Sequence, residues 1–109
     1  MFPTFATHFN QYILIMANIR NLKKDIDYLV EEVISDCYTF MYLHGEEKKD
    51  EAVKLIEEIV TNRNELIQRA NNPAKDLDKK LIKKHYKDIY NDLLSSVDNS
   101  FSKLSELTK

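Results

Sequence analysis

Residues 30–60 read VEEVISDCYTFMYLHGEEKKDEAVKLIEEIV, and this stretch decides the fold. Gly45, at its centre, is the only glycine in the chain. Upstream, Val30, Val33, Cys37 and Phe40 recur at spacings of three and four residues. Downstream, Ala52, Val53, Ile56, Ile59 and Val60 do the same. That period gathers each set on one side of an α-helix. Gly45 suits the position just past a helix end, where a left-handed backbone costs glycine little. Glu46, Glu47, Asp50 and Glu51 follow. They load the next helix start with negative charge, which is favourable at the positive end of its dipole. Two long helices joined by a tight turn pack as antiparallel neighbours.

Working outward, the first stripe extends back through Ile19, Leu22, Ile26 and Leu29, and the second forward through Leu66, Ile67 and Ala70. Asn71-Asn72-Pro73 holds the only proline besides Pro3, so it ends the second helix. Asn72 is a good N-cap and Pro73 a good first-turn residue for a third helix. Leu77, Leu81, Ile82, Tyr86, Ile89, Tyr90, Leu93, Leu94 and Val97 form its apolar side, and Phe101, Leu104 and Leu107 continue the period. The intervening run Ser95–Ser100 has weak helix propensity, so a break near Asp98 and a separate terminal helix over 98–109 are expected. The predicted fold is all-α. It is an antiparallel up-down-up bundle with helices over about 18–44, 47–70 and 73–97, and helical extensions at both ends. Residues 1–109 form one domain, of a size that can bury a core without staples.

Matching helix lengths gives a second expectation. About 24 residues, roughly 36 Å, fit between Gly45 and Asn71. Counted against them, residues 1–20 and 97–109 overhang at opposite ends of the bundle. Phe5, Phe9, Tyr12 and Ile13 on one overhang, and Phe101 and Leu104 on the other, then form apolar patches of the kind that mark interaction sites. Tyr38 and Tyr42 lie opposite the helix 1 stripe and add a tyrosine face, a residue type enriched at interfaces. A two-fold homodimer is the simplest cover for these surfaces, with another protein as the alternative partner. The first 15 residues carry no Lys, Arg, Asp or Glu. Met16-Ala-Asn-Ile-Arg resembles a protein start, so residues 1–15 are read as a possible upstream extension. They are too short to span a bilayer and lack the flanks of a secretory signal.

Chemistry is weakly signalled. Net charge is −2, which recruits neither nucleic acid nor anionic membrane. The single cysteine, Cys37, cannot form an intramolecular disulfide and fits a reducing, cytoplasmic location. Arg63 falls within the helix 2 stripe and needs a partner. Asp25, Glu32 and Asp36 share one flank of helix 1 at a matching level, so a buried ion pair between Arg63 and this flank is expected. No Glu has a His three residues later, which rules out the di-iron bundle motif. A Mg²⁺-binding pair of carboxylate helices would need Glu-Glu-x-x-Glu. Here Glu31-Glu32 is followed by Asp36, one place too late. No Ser/His/Asp arrangement, phosphate loop or dinucleotide fingerprint appears, and no cofactor or metal site is implied. The reading is a self-associating structural or adaptor module. One alternative is a small metal- or nucleotide-binding enzyme built on the acidic flank of helix 1. Another is a weak nucleic-acid binder using Lys79, Lys80, Lys83, Lys84 and Lys87, which Asp76, Asp78 and Asp88 dilute.

Overall fold

The structure, a computed structural model, describes the backbone of residues 4–72 and 79–109 and the side chains of residues 19–72 and 80–109. Three helices follow one another: α1 (Thr4–His44), α2 (Lys49–Asn71) and α3 (Lys79–Leu107). They form an all-α bundle, a rod of 68 × 18 × 18 Å. α1 alone has 41 residues. At about 1.5 Å per residue it runs nearly the length of the rod.

One continuous core runs along the described side chains of the bundle. α1 contributes Leu22, Ile26, Val30, Val33, Cys37 and Phe40; α2 contributes Ala52, Leu55, Ile59, Leu66 and Ala70; α3 contributes Ile89, Leu93, Val97 and Leu104. Full burial of each Leu, Ile or Val is worth about 1.5–3 kcal/mol, and these stripes, more than local propensity, hold the helices straight and together. Leu55 belongs to this core, whereas Val60, Leu81 and Leu94, expected on apolar stripes, face solvent.

The α1–α2 turn uses the left-handed region twice. Gly45 has φ 62° and Lys48 φ 60°. The Gly45 N–H donates to the Met41 carbonyl at 2.9 Å, closing α1. Lys48 Nζ then donates to the Leu107 carbonyl at 3.0 Å, tying the turn to the end of α3. At the other end, Asn72 closes α2. Its side-chain amide donates to the Gln68 carbonyl at 2.7 Å, and its backbone N–H donates to the Arg69 carbonyl at 3.3 Å. Pro73 and Leu77 lie outside the described residues.

The register of α3 differs from the expectation. Asp92 sits level with Arg69, Lys103 with Glu58 and Leu107 with Lys48. α3 is continuous to Leu107, with no break at Ser95–Ser100, because that run occupies a regular core period: Val97 and Ser100 are both buried. The second overhang therefore does not form. Leu104 is buried and Phe101 and Leu107 pack against the core. Tertiary packing overrides the weak local propensity of the serines.

Candidate functional site

Three seams run along the bundle, and each pairs two flanks of known composition. In the α1–α2 seam, Arg63 Nε donates to Asp27 Oδ1 at 2.9 Å, with both side chains partly exposed. Ile34 and Met41 follow Asp27 at seven-residue intervals and pack against the core on the same flank. Arg63 thus has a carboxylate partner, but not the expected one. Asp25, Glu32 and Asp36 occupy the opposite flank of α1. The pair is also half-exposed rather than buried, so its contribution is that of a surface ion pair, about 0.2–1 kcal/mol.

In the α2–α3 seam, Arg69 pairs with Asp92 at 2.7 Å and Lys103 with Glu58 at 3.0 Å. His85 Nε2 lies 2.9 Å from the Arg69 carbonyl at the α2 end, which also accepts from the Asn72 backbone N–H. An open polar cleft of about 240 Å³ lies here, lined by Asn62, Glu65, Arg69, Asp92, Ser95 and Asn99. Its arginine is already neutralised by Asp92.

The α1–α3 seam is different. A polar bridge crosses it where the Tyr90 hydroxyl donates to Asp25 Oδ2. Burial, then this hydrogen bond and the carboxylate charge, push the Tyr90 phenol up to about 12. Along the same seam, Leu94 is 56% exposed and, near the far end of α1, Leu43 is 70% exposed. Glu32 and Asp36 are exposed on the α1 side, Lys83 and Lys87 on the α3 side.

The remaining candidates are placed as follows. Tyr38 and Tyr42 are exposed on the outer face of α1, Tyr42 to 89%, as is Tyr28. Phe5, Phe9, Tyr12 and Ile13 lie outside the described side chains, and so do Lys79 and His8. Lys80, Lys83, Lys84 and Lys87 are exposed. Cys37 is fully buried, and burial followed by the neighbouring Asp36 charge pushes its thiol pKa up, the opposite of what a nucleophile needs. The His44 ring stacks on Phe40 with centroids 4.4 Å apart. The Tyr86 hydroxyl is buried without a hydrogen-bond partner among the described residues, and desolvation raises its pKa. Among the described residues, no group of three or more His, Cys, Asp or Glu is arranged to hold a metal ion. Nor, among them, is any helix long and apolar enough to cross a membrane.

No protein family, curated protein or solved structure matches the chain.

Proposed function

We propose that this chain is a self-associating structural module that acts through protein–protein contacts. One observation carries the reading: the α1–α3 seam presents large apolar side chains, Leu43 and Leu94, to solvent beside half-buried Phe101 and Tyr90. The other two seams are bridged by ion pairs. An exposed apolar strip rimmed by charge is the composition of a contact surface. The tyrosines on the outer face of α1 supply a further surface for a different protein. The single buried thiol of Cys37 suits a reducing compartment such as the cytoplasm.

Light scattering after size exclusion tests this on the whole chain, whose monomer mass is 12.9 kDa. The expected mass is twice that value at micromolar concentration. A mass of 12.9 kDa across the accessible range would contradict the reading. A melting temperature that rises with Mg²⁺ or a nucleotide would point instead to a ligand-binding protein, since a ligand that binds only the native state stabilises it.

A further inference from the structure

The α1–α3 seam carries a charge polarity that makes it complementary to itself. On α1, its flank is Asp25, Leu29, Glu32, Asp36 and Leu43. On α3, it is Lys83, Lys87, Tyr90, Leu94 and Phe101. The two sets share one spacing: four, three, four and seven residues. Each set therefore lies on one side of its helix. Both sides face the same seam. Asp27, which contacts α2, lies on the other flank of α1, and Asp92 and Lys103, which also contact α2, lie on the other flank of α3.

The hydrogen bond from Tyr90 to Asp25 sets the level of one helix against the other. α1 and α3 run parallel, so Leu94 lies level with Leu29. Lys87 and Lys83 lie about two and three turns towards the N-terminal end of α1 from there. Glu32 and Asp36 lie one to two turns towards its C-terminal end. Along the seam, the cations lie towards one end, Leu29, Tyr90 and Leu94 occupy the middle, and the anions lie towards the other end, where Phe101 is level with Asp36. Neither Lys83, Lys87, Glu32 nor Asp36 has an ion pair or hydrogen bond among the described residues.

We propose that the occupant of this seam is a second copy of the chain, docked antiparallel about a two-fold axis that crosses the rod near Leu29 and Tyr90. This deepens the self-association reading and rests on it. Such an axis exchanges the two ends of the seam. Lys87 of one copy meets Glu32 of the other, Lys83 meets Asp36, and Leu29 packs on Tyr90. Each contact occurs twice, as an isologous interface requires. A parallel dimer would set α1 and α3 side by side at equal levels and leave both charge clusters without partners. The apolar centre supplies affinity, and the charged ends fix the register and exclude the parallel arrangement. The level at which the axis crosses lies near the middle of the rod, so the two copies overlap along most of their length.

The test uses full-length variants and light scattering. Glu32→Lys/Asp36→Lys makes both ends of the seam cationic, and Lys83→Glu/Lys87→Glu makes both ends anionic. All four sites are exposed, so the fold is expected to survive, and circular dichroism checks that each variant keeps the wild-type helix content. Each double variant alone should be monomeric, with a dissociation constant raised about tenfold or more. An equimolar mixture should return to twice the monomer mass, and so should the quadruple variant, whose polarity is inverted but self-complementary again. Double variants that associate like the wild type would overturn the proposed interface while leaving self-association standing. A mixture or quadruple variant that stays monomeric would overturn the antiparallel pairing. A wild-type chain that is itself monomeric removes both the interface and the reading beneath it.

Discussion

The α1–α2 and α1–α3 seams are built from the same kind of residue at the same period, yet one is closed and the other open. Against α2, α1 presents Ile34 and Met41, which pack on the core, and Asp27, which takes the Arg63 guanidinium. Against α3, it presents Leu29 and Leu43 with three carboxylates, of which only Asp25 is engaged among the described residues. Leu43 and Leu94 remain more than half exposed. Helical periodicity shows which residues leave the water. It does not show whether the chain itself or another copy covers them.

That contrast can be broken by mutation, and the largest effect belongs to the closed core. Ile59→Ala removes a fully buried side chain and should lower stability by about 2–5 kcal/mol, read from the urea unfolding midpoint. Leu94→Ala, of similar chemistry on the open seam, should change monomer stability by less than about 0.5 kcal/mol while weakening self-association. Equal losses of monomer stability would mean that the two seams are equally packed.

The polar clasps give the next comparison. Arg63→Met keeps the aliphatic stem on the seam and removes the pair with Asp27. Because both partners are half-exposed, the cost should fall at about 0.2–1 kcal/mol in chemical denaturation. A loss several times larger would show a desolvated pair and restore the original expectation of burial.

The smallest effect is that of the Tyr90–Asp25 clasp. Its phenol is held protonated up to about 12, against the ordinary 10.0. The sign follows from linkage: a raised native pKa favours the neutral phenol in the folded chain. The associated stability is complete below the ordinary value and is lost as pH rises through about 12. Ultraviolet titration of the phenols should show a component at about 12 that disappears in Tyr90→Phe; a wild-type curve with no such component would mean the clasp is absent in solution.

Much of this architecture was legible in advance. The Gly45 turn, the two stripes flanking it and the end of α2 follow directly from residue order. The partner of Arg63 was not, for a specific reason. A wheel for α1 places Asp27 on one side of the stripe and Asp25, Glu32 and Asp36 on the other. Which side α2 occupies depends on the hand of the bundle, and a single helix pattern carries no record of that. The seating of Leu104 was missed for a different reason. Length matching assumed that α3 starts immediately at Pro73, whereas the pairs Arg69–Asp92 and Glu58–Lys103 set α3 much farther along. The buried Ser100 helped to hide this, since a serine on a core position reads as a break. The seam polarity of Lys83, Lys87, Glu32 and Asp36 is present in the sequence as two matching spacings. It acquires meaning only once the Tyr90–Asp25 hydrogen bond fixes their levels.

Small-angle X-ray scattering of the wild-type chain, at a concentration where light scattering reports the dimer, tests the central claim most directly. Two rods docked side by side and antiparallel keep nearly the 68 Å length of one rod while doubling its cross-section. The predicted maximum dimension is therefore about 75 Å, allowing a small stagger at ~1.5 Å per residue. A dimer with a maximum dimension well above about 100 Å would mean end-to-end contact through the N-terminal turns of α1, and would contradict association along the α1–α3 seam.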